Sequence, residues 1–180
     1  MRTIQVEGII LKRRNYGEAD RIITVFTREF GKMQIKAKGV RKIASKRSSH
    51  IEPLNRSSLS LYKGHMLPIL TEATTIESYA DIKSDLGRIG FAYHLCELVD
   101  GLCPENQEMG EIFTLLQNVL VQLSFSTDIP VIIHEFEVAL LTVLGYWSRQ
   151  EELQNNNINY LIEGILERKL KSRQILQKLL

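Results

Sequence analysis

The most distinctive chemistry in this sequence is a dense series of cationic side chains in one short stretch. Between Gly31 and Ile51 the chain has no acidic residue, whereas a surface that serves only solubility normally mixes both signs of charge. Lysine and arginine side chains both bind phosphate without reading base sequence. The stretch therefore favours contact with a nucleic-acid backbone. Its cations are Lys32, Lys36, Lys38, Arg41, Lys42, Lys46 and Arg47.

Other cations supplement this series in the first half of the chain. Lys12, Arg13 and Arg14 close the first predicted strand, and Arg28 ends the second. In a small barrel, strand ends of this kind can approach the basic loop, so we include all four residues in the predicted DNA-binding set.

A separate basic segment lies near the end of the chain. It contains Arg168, Lys169, Lys171 and Arg173. One interpretation is that these cations compensate the dipole at a helix C-terminus and form salt bridges between helices. The other is that they form a second part of a DNA-binding surface, and we predict them as such while leaving both interpretations open.

The two halves of the chain differ strongly in charge. Residues 1–80 contain 15 Lys and Arg against 7 Asp and Glu, a net charge of +8, whereas residues 81–180 contain 8 against 14, a net charge of −6. Such asymmetry indicates that one half meets a polyanion and the other does not. The alternative is that the halves are complementary and dock on each other.

Motifs for catalysis or metal binding are missing from the sequence. It has no glycine-rich phosphate loop and no nucleophile-elbow sequence. No histidine pairs with a carboxylate or thiol at a metal-binding spacing, so we interpret each as a surface or capped residue. The four are His50, His65, His94 and His134. We expect a protein that is not an enzyme, with no catalytic residue and no cofactor.

The two cysteines and the apolar stretches indicate the cellular compartment. Cys96 and Cys103 lie in an apolar helical pattern and are interpreted as buried thiols in a reducing cytoplasm, rather than as a disulfide or a metal pair. The most apolar segment, residues 129–147, is interrupted by His134, Glu135 and Glu137. We therefore expect no membrane span and a cytoplasmic protein, and the N-terminus lacks the apolar core of a signal peptide.

Residues 1–80 show the pattern of β-strands separated by turns. Alternation is clearest in the third strand, where Met33, Ile35 and Ala37 fall on one face, opposite Lys36 and Lys38. The five predicted strands are Ile4–Arg14, Arg21–Arg28, Lys32–Val40, Leu59–Tyr62 and Leu67–Thr75. Five short strands in this length are typical of the OB-fold barrel, which commonly binds oligonucleotides.

The connections between these strands also carry predictions. Gly39 breaks the alternation, so we expect a bulge or bend there. Residues 41–50 are predicted to form a basic loop, and residues 63–65 a tight connection. Tyr16, Phe30 and Tyr62 have two open interpretations, as base-stacking platforms for a single strand or as parts of the barrel core.

Near Tyr79 the apolar period changes to that of helices. The predicted helices run from about Leu86 to Pro104, across residues 112–123, from Asp128–Pro130 to Gly145, and from Ile158 to the end, with a loop at residues 154–157. The fold class is therefore α+β in two domains. Residues 1–80 form a five-stranded OB-fold barrel and residues 81–180 a helical domain of about four main helices.

Several segments together resemble the RecO family of bacterial recombination mediators. The matching segments are 6–11, 16–22, 26–32, 37–41, 61–64, 84–86, 93–100, 144–146 and 167–173. They follow the order of the family and cover most of the chain, and the combination is specific although no single segment is. The opening Val-Glu-Gly-Ile-Ile-Leu of residues 6–11 and the Ala-Lys-Gly-Val-Arg of residues 37–41 are examples.

This resemblance implies a set of functional properties. It implies an N-terminal OB-fold, a C-terminal helical domain, binding of single- and double-stranded DNA and annealing of complementary strands. It also implies partnership with RecR and with the C-terminal tail of the single-stranded DNA-binding protein, during loading of the recombinase RecA. No catalytic residue is implied.

The chain departs from the family after Leu144-Gly145-Tyr146, where many members carry a four-cysteine zinc module. No cysteine follows here, so we expect no zinc and a reduced helical domain. Two other classes stay open from the residues alone. One is an interaction adaptor whose basic barrel binds acidic proteins, and the other is an RNA-binding barrel of translation.

Overall fold

Relative to the sequence prediction, two barrel strands are longer, one is shorter and two are shifted by one or two residues. In this computed structural model, which describes residues 3–64, 66–148 and 155–179, five strands are present in the N-terminal part. They are β1 (Thr3–Tyr16), β2 (Asp20–Thr27), β3 (Gly31–Ala37), β4 (Arg56–Tyr62) and β5 (Ile69–Glu77). All five predicted strands therefore exist, and His65 of the predicted tight connection lies outside the described residues.

The strands close into a barrel in the order β1-β2-β3-β5-β4. The long strand β1 pairs antiparallel with both β2 and β4, which closes the barrel. The pairing of β3 with β5 is parallel, with Lys36 opposite Ile69. The arrangement confirms the predicted OB-fold and the α+β class.

Alternating apolar side chains fill the interior of the barrel. Val25 of β2 pairs with Met33 of β3, and Ile23 pairs with Ile35, so each strand directs every second residue into the same core. The buried cluster comprises Val6, Ile10, Ile23, Val25, Met33, Ile35, Ala37, Val40, Ile51, Leu59, Leu61 and Leu70. The alternation predicted for the third strand is confirmed up to Ala37.

The end of the third strand differs from the prediction. The strand ends at Ala37, so Lys38 and Val40 lie in the turn that follows and not on the strand. The bend predicted at Gly39 is confirmed as this turn, in which the φ of Gly39 is +65°. Register shifts occur in β1 between Ile10 and Lys12 and at two points where β4 pairs with β5. The basic loop contains successive turns and a short 3-10 helix at Ser49–Ile51.

The chain divides into two compact units. One comprises residues 1–78 and 104–110, and the other residues 79–103 and 111–180. The segment 104–110 returns to the barrel unit through Asn106, whose N–H donates to Lys32 O at 2.7 Å, and through Glu105, which accepts from Gln34 at 3.0 Å. The proposed domain boundary at residue 80 stays a prediction.

The helical unit contains more helices than the sequence predicts. Its helices are α1 (Ala80–Ser84), α2 (Leu86–Leu102), α3 (Gly110–Phe125), α4 (Ile129–Val143), α5 (Asn155–Leu166) and α6 (Lys171–Leu179). The short α1 was not predicted. The predicted single last helix is wrong, because the backbone turns at Glu167, whose φ is +52°.

The predicted asparagine-rich loop is also wrong over its described part, since Asn155 begins α5. Gln154, the first residue of that predicted loop, lies outside the described residues. None of the helices among the described residues is long and apolar enough to cross a membrane.

A buried polar network connects three helices of this unit. The side chain of His94 on α2 lies 2.9 Å from Glu137 Oε1 on α4 through Nε2, and 2.9 Å from Ser172 Oγ on α6 through Nδ1. All three residues are buried. The interpretation of His94 as a surface residue is therefore wrong: its polar atoms are satisfied inside the core, as burial requires.

Replacement of Gly31 tests the attachment of segment 104–110 to the barrel. Gly31 has a φ of +63°, and a Cβ there would lie 1.8 Å from the carbonyl oxygen of Gln107. We expect Gly31→Ala to lower the free energy of unfolding by more than about 2 kcal/mol, because backbone strain and a backbone clash add. Urea denaturation followed by circular dichroism measures this change.

Gly17→Ala is the matched control for this substitution. Gly17 has a similar φ of +58°, but a Cβ there would meet nothing within 4 Å. It should therefore lose only about 1 kcal/mol from the left-handed conformation. Equal losses in the two variants would contradict a close approach at Gln107.

Candidate nucleic-acid interface

The strand register places several predicted cations on one outer face of the barrel. Arg14 of β1 pairs with Ile22 of β2, which pairs with Lys36 of β3. Two residues earlier in β1, Lys12 pairs with Thr24 of β2, which pairs with Gln34 of β3. Because paired residues point to the same face, Lys12, Arg14 and Lys36 lie on one side, with Arg14 and Lys36 about 10 Å apart across two strand spacings.

Lys36 is held in place by two neighbours from the β1–β2 connection. Its Nζ lies 3.2 Å from Asp20 Oδ2 and 4.6 Å from the centre of the Tyr16 ring. Asp20 also accepts from the N–H of Gly39 at 2.8 Å. The Gly39 hydrogen bond, opposed by burial and reinforced by Lys36, lowers the pKa of Asp20. A phosphate at Lys36 must therefore compete with a carboxylate.

The basic loop after β3 is fixed to the barrel by its two arginines. The Arg41 guanidinium donates to the carbonyls of Gly17 at 3.3 Å and Glu18 at 3.1 Å. The Arg47 guanidinium donates to Leu70 O at 2.7 Å and Lys38 O at 2.9 Å. These two predicted DNA-binding residues are thus engaged in shaping the loop.

The lysines of this loop face solvent. Lys38, Lys42 and Lys46 are all exposed. Since Arg41 anchors the start of the loop beside the β1–β2 connection, these lysines begin next to the face that carries Arg14 and Lys36. We define the basic barrel face as Lys12, Arg14, Lys36, Lys38, Arg41, Lys42, Lys46 and Arg47.

Arg13 and Arg21 occupy the adjoining mouth of the barrel. Arg13 pairs in register with the interior residue Ile23, and its guanidinium forms a 2.5 Å ion pair with Glu52. Arg21, which sequence reasoning did not select, pairs with the interior residue Ala37. Burial and the nearby charge of Arg13 lower the pKa of Arg21. The sequence signal for Arg21 was its place in the strand pattern. It takes an interior position near the start of β2, in register with the apolar Ala37.

Arg28 does not join the basic barrel face. It follows Thr27 at the far end of β2, where its N–H donates to Glu7 O at 3.2 Å. The face described above adjoins Asp20 at the opposite end of the strand, eight residues before Arg28 and roughly 25 Å away. The expectation that this strand end approaches the basic loop is therefore wrong for Arg28.

The three aromatic candidates differ in exposure. Tyr16 is 46% exposed and Phe30 43% exposed, so the interpretation of these two as core residues is wrong. Tyr62 is partly buried. Of the exposed pair, Tyr16 lies against Lys36, whereas Phe30 follows the strand end that carries Arg28. Tyr16 is therefore the better-placed stacking platform.

The basic segment near the end of the chain connects the end of α5 to the start of α6. Arg168 and Lys169 belong to the connection between α5 and α6, Lys171 is the first residue of α6, and Arg173 follows in its first turn. Arg168 and Lys169 therefore follow the C-terminal end of α5, whereas Lys171 and Arg173 oppose the dipole at the start of α6. The interpretation as salt bridges between helices is confirmed for Arg168, which pairs with Glu97 of α2 at 2.6 Å.

The carboxylate of Glu97 on α2 pairs with one of these cations and binds the first residues of α6. Glu97 accepts from Arg168 Nη1 at 2.6 Å, Lys171 N at 3.1 Å, Ser172 N at 2.8 Å and Ser172 Oγ at 2.6 Å. Burial alone would raise the pKa of Glu97, but hydrogen bonds from Ser172, Arg168 and Lys171 outweigh it and lower the pKa to about 2. Glu97 thus caps α6 from a distant part of the sequence.

Two of the clefts within the helical unit differ in charge. The α5–α6 cleft, of about 490 Å³, is lined by Asn159, Tyr160, Glu163, Lys169, Leu170, Arg173, Gln174 and Gln177. The α3–α4 cleft, of about 680 Å³, has an apolar lining that includes Leu115 and Val138, with Glu111 and Glu135 as its acidic members. The first cleft therefore offers two cations and one acid, Glu163, and the second offers two acids with no lysine or arginine among its described residues.

Cys96 and Cys103 are both buried, free thiols. Burial, with a contribution from the nearby charge of Asp100, raises the pKa of Cys96 to about 12. Over residues 3–64, 66–148 and 155–179, no cluster of three or more metal-ligating side chains occurs.

Comparison with known proteins gives two family matches. The model described as "Recombination protein O N terminal" matches residues 1–79, and "Recombination protein O C terminal" matches residues 83–149. The chain is 36% identical over 145 residues to the DNA repair protein RecO of Roseiflexus sp. (strain RS-1) and 40% identical over 147 residues to that of Heliobacterium modesticaldum. It is 36% identical over 147 residues to that of Acetivibrio thermocellus.

The chain spans only a little over half the length of these relatives. The matches cover 81% of this chain in each case, but 51%, 53% and 59% of the three relatives. The family models therefore cover the barrel unit and the helical unit as far as residue 149, and the relatives are matched over a part of their length.

Replacement of Glu97 tests its role as the cap of α6. Glu97→Gln leaves one acceptor oxygen and removes the charge that Arg168 neutralises, so we expect unfolding to become easier by about 1–2 kcal/mol. The fluorescence of Trp147, the single tryptophan, follows the unfolding in urea. Glu135→Gln, at an exposed position on α4, is the control and should change stability by less than about 0.5 kcal/mol.

The same comparison has a defined pH dependence. Because the pKa of Glu97 is lowered to about 2 from 4.5, its contribution to stability is fully present above the unfolded value and is lost as the pH falls towards 2. The difference between the wild-type chain and Glu97→Gln should therefore shrink over this range. A difference that stays constant between neutral pH and pH 2 would contradict the capping role.

Proposed function

Because the chain belongs to the recombination protein O family, we propose that it acts in recombinational DNA repair by binding single- and double-stranded DNA on the basic barrel face. The observation that carries this proposal is the shared side of Lys12, Arg14 and Lys36, which follows from the strand register. The exposed lysines of the adjoining loop extend that side. Such a surface contacts phosphates and carries no base readout of its own.

The proposed mechanism of strand annealing is electrostatic. Two complementary strands repel each other through their phosphates, and a cationic face that holds both lowers this repulsion without an energy source. Tyr16 at the edge of the face can stack on an unpaired base. This step requires no catalytic residue, no metal and no cofactor, so we propose a protein that is not an enzyme.

Partners of the family are assigned to the helical unit. We propose that the acidic C-terminal tail of the single-stranded DNA-binding protein docks in the α5–α6 cleft. Lys169 and Arg173 supply positive charge there and outnumber the one acid, Glu163, while the ring of Tyr160, which is 78% exposed, supplies apolar contact. The α3–α4 cleft is unsuited to an acidic tail because it presents Glu111 and Glu135.

RecR is the second proposed partner, and loading of the recombinase RecA is the proposed outcome of the combined action. The proposed location is the bacterial cytoplasm, in association with the nucleoid. The remaining candidates, Arg13, Arg28, Arg168 and Lys171, contribute charge to DNA contact outside the basic barrel face.

The salt dependence of binding tests the phosphate model. If about five phosphates are neutralised, the logarithm of the affinity should fall with the logarithm of salt concentration with a slope of about −4. Fluorescence anisotropy with labelled single- and double-stranded DNA of several sequences measures the slope. An affinity that is insensitive to salt would contradict the model.

A matched pair of double variants locates the contact. Lys38→Ala with Lys42→Ala should weaken binding to every sequence about equally and reduce the slope by about 2, because each lost phosphate contact removes about one unit. Lys63→Ala with Lys178→Ala removes two exposed lysines elsewhere and should leave both quantities unchanged. Equal loss in the two double variants would indicate binding by net charge rather than by this face.

The same titrations separate the other function classes. Competition by RNA of matched sequence that exceeds competition by DNA would favour an RNA-binding barrel. Binding of an acidic peptide without binding of DNA would favour an interaction adaptor. Annealing of complementary strands at two salt concentrations, with and without the single-stranded DNA-binding protein, then tests the mediator role itself.

A further inference from the structure

The basic loop carries an exposed apolar side chain near its start. Ile43 is fully exposed, while its sequence neighbours Arg41 and Lys42 and the nearby Lys46 are charged. A single exposed apolar residue is ordinary on protein surfaces, so exposure alone does not indicate a binding role. The position of Ile43 in the loop and the support of that loop distinguish it.

Ile43 stands at the tip of a hydrogen-bonded turn. The N–H of Ser45 donates to the carbonyl of Lys42 at 2.9 Å, which makes Ile43 and Ala44 the two central residues of a four-residue turn. The N–H of Lys42 in turn donates to Gly39 O at 3.2 Å. The backbone therefore presents Ile43 outward in a defined conformation.

Both ends of this loop are fastened to the barrel. At the start, the N–H of Arg41 donates to Ala19 O at 2.9 Å, and its guanidinium reaches Gly17 and Glu18. At the end, Arg47 bonds the carbonyls of Leu70 and Lys38. Because both ends of the loop are fixed to the barrel, the turn keeps the Ile43 side chain pointing outward when a ligand contacts it.

We propose that Ile43 inserts between stacked base pairs of a bound duplex, acting as a wedge while Lys42 and Lys46 hold the flanking phosphates. Apolar side chains of this kind enter between base steps in proteins that kink DNA, where neighbouring cations hold the backbone. The wedge loosens the duplex locally, which gives the basic barrel face access to the separated strands. The inference rests on the proposed function, since it requires duplex DNA on that face.

An anionic membrane is the other surface that a basic loop with an apolar tip could meet. One isoleucine buries too little apolar area to hold a protein on a bilayer, and stable attachment needs more than one anchor. The adjoining cations lie on the strands of an OB-fold barrel, which is a common platform for nucleic acid. The duplex is therefore the ligand that fits this loop.

The test uses the full chain and a duplex that carries 2-aminopurine at its centre, since this base brightens when it is unstacked. Saturating wild-type protein should raise the fluorescence severalfold. Ile43→Ser should lose more than half of this rise while its affinity by anisotropy changes little, because the phosphate contacts remain. Ile43→Leu, which keeps the apolar volume, should retain the rise.

Met66→Ser is the control, since Met66 is 95% exposed on another loop of the barrel unit, and it should behave like the wild-type chain. An undiminished rise in Ile43→Ser, or bound wild-type protein without any rise, would overturn the wedge alone. Failure of the wild-type chain to bind DNA would overturn the proposed function together with the wedge. Binding of phosphatidylserine vesicles that depends on Ile43, without brightening of the duplex, would overturn the wedge in favour of a membrane contact.

Discussion

Closure of the five-stranded sheet decides which side chains of the barrel unit can meet a ligand. Because β1 pairs on both edges, with β2 and with β4, its residues have no choice of register. Every second position of the central strands enters one core, and the positions between them point outward. Lys12 and Arg14 share a face with Lys36 because β1 shifts register by one residue between the interior Ile10 and Lys12. Without that shift, both β1 cations would point into the interior.

The strands and their faces could be predicted from sequence because alternation is a local property. Met33, Ile35 and Ala37 read directly as one side of a strand, and their burial follows. The ends of the same strand could not be predicted. Lys38 leaves the strand because Asp20, which is far away in sequence, bonds Gly39 and fixes the turn. An alternating pattern gives no sign of such a partner.

The helical unit shows the same limit more clearly. The apolar period continues through residues 158–176, and no proline separates α5, which ends at Leu166, from α6. Gly164 lies inside the last turn of α5 and does not mark its end. The break depends on Glu97, whose carboxylate satisfies the first N–H groups of α6. His94 was misjudged for a similar reason, because its partners Glu137 and Ser172 come from two other helices. The candidate cations were found by composition, but their individual partners required the folded chain.

A phosphate bound at Arg168 would compete with the carboxylate of Glu97, which caps the start of α6. All four donors around Glu97 are already in place, and Arg168 is one of them. A phosphate that attracts Arg168 leaves Glu97 partly unneutralised beside the first turn of the helix, so occupancy outside and helix anchoring inside become thermodynamically linked. The exposed side chain of Lys169 is not among the donors to Glu97, so its binding to a phosphate does not disturb this cap. The basic segment at residues 168–173 is therefore not uniform. A ligand that binds Arg168 must compensate the loss of its bond to Glu97, whereas a ligand that binds Lys169 need not.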